Sequence, residues 1–133
     1  MNTFNVIGCG RVGQTLAALL HQRGQVLVQD LYSRSFSSAE QAAQFVGAGQ
    51  PVAELAQMRT ANVWLLSVPD AQVAAAAQAL AEAQGAKLAG AIVFHNSGFL
   101  SAAVLQPLEA LGCHVASAHP VLNFASPDTG VRQ

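Results

Sequence analysis

The 133-residue chain is expected to adopt an α/β fold, a doubly wound, mostly parallel sheet with helices on both faces. Three observations lead there. Short apolar runs alternate with helix-patterned stretches from end to end, the order that parallel β-α-β units require. A glycine pattern, Gly8-Cys9-Gly10-Arg11-Val12-Gly13, separates the first apolar run from the first helical stretch. The run Val63-Trp64-Leu65-Leu66-Ser67-Val68 is nearly continuous in apolar residues, as in strands covered on both faces.

Each element follows from local pattern. A first strand is expected over Phe4 to Ile7, then a helix whose Val12, Leu16, Leu19 and Leu20 repeat at i, i+4, i+7 and i+8 and so form one stripe. Gly24 ends that helix, and Val26-Leu27-Val28 starts a second strand that can extend to Tyr32. Ser37 or Ser38 can cap a second helix through Val46, closed by Gly47 and Gly49. A brief third strand at Pro51 to Val52 and one helical turn at Glu54 to Met58 precede the Val63 strand. That strand stops at Pro69, and Asp70 can cap an Ala-rich helix with Val73, Ala77 and Leu80 on one side. Ala91 to Phe94 makes a further strand, Ser101 can cap a helix holding Val104, Leu105, Leu108 and Leu111, and His114 to Ala118 closes the sheet. The crossovers are expected to be right-handed. Residues 1–124 read as one dinucleotide-binding domain, and 125–133 as a tail or the start of a connection to an absent C-terminal domain.

Composition narrows the ligand class. Only 10% of residues are charged and the net charge is −1, which argues against nucleic acid or an anionic membrane surface as partner. A small-molecule substrate suits the chain better. No apolar run approaches the roughly 20 residues needed to cross a bilayer, and no basic segment with a signal-peptide core opens the sequence, so a cytoplasmic location is expected. Cys9 and Cys113 do not make a disulfide framework. Cys113, His114 and His119 match no common zinc spacing, and no metal is expected.

The glycine turn carries the chemistry. A pyrophosphate must approach main-chain amides at a helix N-terminus, where unpaired N–H groups and the helix dipole favour negative charge. Gly8 permits a tight turn, Gly10 lets the backbone touch the phosphates, and Gly13 lets helix and sheet pack closely. Cys9 and Val12 fill the variable positions, and Arg11 is either a phosphate contact or an exposed first-turn residue. An acidic residue roughly 20 positions beyond this turn normally bonds the adenosine ribose, whereas a nearby arginine accommodates a ribose phosphate. Both signals occur here. If the second strand stops at Asp30, the carboxylate favours NAD; if it reaches Tyr32, the tip belongs to Ser33, Arg34 and Ser35, which suit the phosphate of NADP. The Ser-Arg-Ser cluster puts NADP ahead of NAD.

Taken together, the glycine turn, Tyr32-Ser33-Arg34-Ser35, Leu66-Ser67-Val68-Pro69-Asp70, His95-Asn96-Ser97-Gly98 and His119-Pro120 resemble the Rossmann-like domain of NADP-dependent oxidoreductases in the 6-phosphogluconate dehydrogenase and pyrroline-5-carboxylate reductase superfamily. More narrowly, the chain resembles the uncharacterised branch in which this domain precedes a helical domain of unknown function. The resemblance implies a cofactor across the strand ends and a substrate pocket completed by a C-terminal helical domain that commonly dimerises. It implies that Ser67, Val68, Pro69, Asn96 and Ser97 border the nicotinamide ribose and ring. The second strand is one or two residues longer than the family pattern.

For a carbonyl or imine substrate the protein must add a proton donor, and His95, then His119, are the candidates because imidazole titrates near neutrality. Each can instead hydrogen-bond backbone at a strand end. Ser97 lacks the setting of a nucleophile elbow, and no Gly-Lys-Ser or Gly-Lys-Thr follows the glycines, so a hydrolase and a P-loop are disfavoured. The sequence thus points to the NADP(H)-binding domain of an oxidoreductase. A non-catalytic NADP sensor is the alternative, and a methyltransferase-like turn for another adenosine ligand is the third reading.

Overall fold

Two runs of parallel pairing diverge from the first strand, and together they make a six-stranded sheet in the order β3-β2-β1-β4-β5-β6. The computed structural model describes residues 2–8, 10–97 and 100–117. The strands are β1 (Asn2–Ile7), β2 (Val26–Tyr32), β3 (Gln50–Val52), β4 (Val63–Leu66), β5 (Ile92–His95) and β6 (His114–Ser117). Helices α1 (Arg11–Gln22), α2 (Phe36–Val46), α3 (Asp70–Gln84) and α4 (Gln106–Glu109) lie between them. All five described pairings are parallel.

Alternation along the strands sorts the core into two layers. Phe4, Val6, Val28, Leu31 and Leu65 pack with Ala17 of α1 and with Ala42 and Val46 of α2. Ile7, Trp64, Leu66 and Val93 pack on the other face with Val73, Ala77 and Leu80 of α3 and with Leu105 and Leu108. Both faces of β4 are therefore apolar, which explains its unbroken hydrophobic run. Because β1 to β3 build outward one way and β4 to β6 the other, the sheet order reverses between β1 and β4. In open α/β sheets a crevice opens there, beyond the carboxyl ends of the strands.

Several ends differ from expectation for local reasons. Ser35, rather than Ser37 or Ser38, caps α2 by accepting the Ser38 amide, and Gly47 closes it with φ 84°. Pro69 occupies the cap position of α3, so Asp70 is the first helical residue, where its charge opposes the positive end of the helix. The helix expected after Ser101 is a 3-10 turn over Ala102–Leu105 followed by the four-residue α4. Pro107 supplies no amide for a continuous helix there. The expected turn near Glu54 is a 3-10 turn over Leu55–Gln57 closed by a reciprocal Glu54–Gln57 capping box.

β2 carries an irregularity that decides where its tip lies. Phe4 pairs with Val28, but Val6 pairs with Leu31, so Gln29 and Asp30 together oppose the single residue Asn5. Such a bulge reverses the face on which later side chains emerge. Val26, Val28 and Leu31 consequently all face α1 and α2, whereas Tyr32 faces the α3 layer. The strand runs through to Tyr32, and the alternative in which it ends at Asp30 is corrected. The Asp30 side chain, 1% exposed, accepts from the Arg59 backbone amide at 2.6 Å and from its guanidinium at 2.8 Å. Asp30 raises the Arg59 pKa above its ordinary value through these side-chain hydrogen bonds and its charge.

The far end of α3 is tied to the turn that follows β3. Gln84 Nε2 donates to the Leu55 and Met58 carbonyls at 2.8 and 3.0 Å. Replacing Gln84→Met keeps the bulk but leaves those acceptors unpaired, and a loss of about 1–3 kcal/mol is expected. Urea unfolding measures it, and an unchanged midpoint would contradict the role assigned to this amide.

Candidate functional site

The glycine turn is built around one residue of the neighbouring strand end, Ser67. Its amide donates to the Ile7 carbonyl at 2.7 Å, extending the β1–β4 ladder by one rung, and its carbonyl accepts from the Gly10 amide at 3.3 Å. Its hydroxyl accepts from Asn96 Nδ2 at 3.2 Å, joining the tip of β5 to the same point. The three glycines are the three places where the turn touches Ser67. A Cβ on Gly8, whose φ is +83°, would sit 2.5 Å from the Ser67 carbonyl oxygen and from Val68 Cγ1, and one on Gly10 would sit 3.0 Å from Ser67 Oγ. At Gly13 it would overlap both Oγ and Cβ of Ser67. Gly8 is also pinned from the other side, its amide donating to the Tyr32 carbonyl at 2.7 Å.

This packing aims the start of α1 at a cleft of about 810 Å³. Gly10 is its cap residue, no side chain caps the first turn, and no acidic residue lies within it. The positive end of the helix thus carries no neutralising side chain of its own in its first turn, a setting that can attract an anion. Ile7, Gly8, Gly10, Arg11 and Val12 form the floor, and Tyr32, Ser33 and Arg34 one wall. Ser67, Val68, Pro69 and Asn96 form the far end. Gln72, Ala75, Ala76 and Ala79 of α3, with Leu55, complete the opposite wall. Arg11 and Arg34 are both exposed. Among the described residues Arg59 and Asp30 form an ion pair at 2.8 Å, which involves neither of them and lies away from the cleft lining.

The structure brings most of the expected residues together and sets others apart. Ser35 caps α2 and also bonds the Ser37 hydroxyl, and it does not line the cleft. Ser97 is buried, its hydroxyl accepting from the Leu100 amide at 3.2 Å. His95 is wholly buried. Its Nδ1 accepts from the Ser97 amide at 3.1 Å, so the proton lies on Nε2 and points to the Ser101 carbonyl at 2.9 Å. Both ring nitrogens hold the loop after β5, and Asn96, not His95, reaches the cleft. Cys9 and His119 lie outside the described residues. Cys113 is buried, and its thiol, bonded to the Leu88 carbonyl, is pushed up by that burial.

The sequence reading missed the α3 wall and Tyr32. Gln72, Ala75, Ala76 and Ala79 fall at i, i+3, i+4 and i+7, a second helical stripe beside the apolar one. Small side chains at that spacing were the available signal. Among the described residues no helix is long and apolar enough to cross a membrane.

Comparison with known proteins agrees with this architecture. The Rossmann-like domain model matches residues 2–120. No curated protein matches the chain. Among solved structures, a candidate NADP oxidoreductase of Bacteroides fragilis superposes with TM-score 0.64 at 19% identity, over 96% of this chain and 68% of that one. The imine reductase of Bacillus cereus gives 0.66 at 22% identity over 86% and 39%. The prephenate dehydrogenase of A. aeolicus, solved with hydroxyphenyl propionate and NAD+, gives 0.65 at 19% over 91% and 42%. The chain thus spans about two thirds of the first of these proteins and about two fifths of the other two.

The contact between Gly13 and Ser67 is open to direct test. Gly13→Ala is expected to cost about 1–3 kcal/mol by overpacking, and much less when Ser67→Gly has removed the obstructing side chain. A double-mutant cycle by chemical denaturation reads the coupling. Additive losses would show that the close approach is not what requires glycine.

Proposed function

The chain belongs to the Rossmann-like domain family, and we propose that it is the NADP(H)-binding domain of an oxidoreductase that transfers hydride to or from a small substrate. One observation carries the cofactor reading: Arg34 and Ser33 line the cleft wall at the end of β2, while the one acidic residue of that strand is turned away onto Arg59. A ribose 2′-phosphate at this wall would meet a guanidinium and a hydroxyl and no carboxylate. NAD, which the A. aeolicus structure holds, is the runner-up.

In this reading the pyrophosphate lies on the α1 N-terminus, with Arg11 as a second cation. The adenine occupies the side between Arg34 and the small residues Ala75 and Ala79 of α3. The nicotinamide half lies toward Val68, Pro69 and Asn96, the first two excluding water and the amide orienting polar groups. When bound, the cofactor supplies or accepts the hydride. Because both nitrogens of His95 are engaged, His119 is the imidazole we carry forward as proton donor. The substrate side is completed by a further helical domain or by a second copy of the chain. We place the protein in the cytoplasm.

Titrating the chain with NADPH and with NADH, followed by nicotinamide fluorescence, tests the reading. NADPH is expected to bind more tightly. Loss of a charge-assisted contact worth about 1.5–3 kcal/mol predicts that Arg34→Ala weakens NADPH roughly 10- to 100-fold and leaves NADH nearly unchanged. Equal losses for both cofactors would remove Arg34 from the phosphate site, and failure of both to bind a folded chain would overturn the proposal.

A further inference from the structure

We infer that Asn5, Asp30 and Arg59 form a register lock that fixes which two residues of β2 meet the cofactor, and so act as positioning residues for cofactor choice. The inference deepens the cofactor reading above and rests on it. The strand has one residue more than its partner needs between Val28 and Leu31. Two registers can accommodate a surplus residue, one absorbing it as a bulge and one passing it on to the tip. In the second, Asn5 would pair with Gln29, Val6 with Asp30 and Ile7 with Leu31. The Gly8 amide would then meet the Leu31 carbonyl instead of Tyr32, and Tyr32 and Ser33 would stand where Ser33 and Arg34 now stand. Arg34 would be carried about 3.3 Å further along the strand direction.

Three side chains hold the bulged register. Asn5, wholly buried, accepts the Asp30 amide at 3.0 Å and the Gln29 Nε2 at 3.2 Å, so one oxygen engages both residues of the bulge. Its Nδ2 donates to the Arg59 carbonyl at 2.7 Å. The Asp30 carboxylate, in turn, accepts from the Arg59 amide and guanidinium. In the slipped register Asp30 would join Val26 and Val28 on the face covered by α1 and α2, where an unpaired charge is costly. The buried polar network therefore excludes the slip twice, by bonds made and by a charge that cannot be moved. β3 pairs only with Asp30, Leu31 and Tyr32, at and beyond the bulge, so the edge of the sheet depends on the same register.

The test removes the lock and then makes it unnecessary. Asn5→Val with Asp30→Val abolishes the polar network and makes the slipped register apolar on its covered face. NADPH affinity is expected to fall by about 10-fold or more, with NADH changed by no more than about twofold, and cross-strand NOEs should show Ile7 against Leu31. Deleting Gln29 from that double variant removes the surplus residue, so Ile7 should return to Tyr32 and the NADPH preference should reappear. A lock that served stability alone would weaken both cofactors together, and the deletion would restore neither. An unslipped double variant, or an unchanged cofactor ratio in a slipped one, overturns the inference. If the double variant does not fold, Asp30→Asn keeps the side-chain size and should lower the NADPH:NADH ratio by about threefold, and an unchanged ratio overturns it. A wild-type chain with equal affinity for the two cofactors would refute the cofactor reading alone, since the NOEs still decide the register.

Discussion

The architecture hangs on how closely the turn after β1 approaches Ser67. A turn carrying side chains could not reach it, because Cβ atoms at Gly8, Gly10 and Gly13 all meet this one residue at or inside contact distance. The approach has three consequences at once. It lets Ser67 continue the β1–β4 ladder past the end of β4. It brings the first turn of α1 down onto the sheet order reversal. Through the Ser67 hydroxyl it also sets the position of Asn96 at the neighbouring tip. The exposure of the α1 N-terminus at the cleft and the packing of helix on sheet are therefore one constraint, not two.

That economy explains why the central part of the fold could be read from sequence. The glycine spacing marks the close approach, and the unbroken run from Val63 to Leu66 marks a strand buried on both sides. Neither signal depends on contacts from distant residues. β2 was harder, since its extension to Tyr32 was visible but the bulge was not. The cue lay in apolar residues at 26, 28 and 31, whose spacing breaks the period of two. What the pattern could not supply was Arg59, nearly thirty residues on, which satisfies Asp30 and makes the break tolerable.

The site was legible to a lesser degree, for a related reason. In β5, Val93 and His95 share a face, and Val93 belongs to the α3 layer. Alternation thus assigns His95 to the interior and Asn96, the first residue past the strand, to the crevice. A histidine at a strand end attracts a chemical reading because its ring titrates near neutrality, yet the period of two already weighs against it. The α3 wall escaped because alanine is ambiguous. In an Ala-rich helix the stripe that packs the core and the stripe that lines the cleft are written largely in the same residue. Only the larger Val73 and Leu80 separate them, by showing which side is buried.

The distribution of charge follows from the same division of labour. The chain has six basic residues and a net charge of −1, so no global field attracts an anion. Arg11 and Arg34 nevertheless stand on the cleft, at the floor and at one wall, with the positive end of α1 at that floor. Asp30 lies only four residues before Arg34, close enough in sequence to cancel it if both faced the same way. The bulge prevents this by turning the carboxylate onto its own guanidinium, that of Arg59, away from the cleft lining. Local potential at the cleft is thus produced less by adding cations than by removing one anion from view, and the pairing of buried Asp30 with the exposed Arg59 is what removes it.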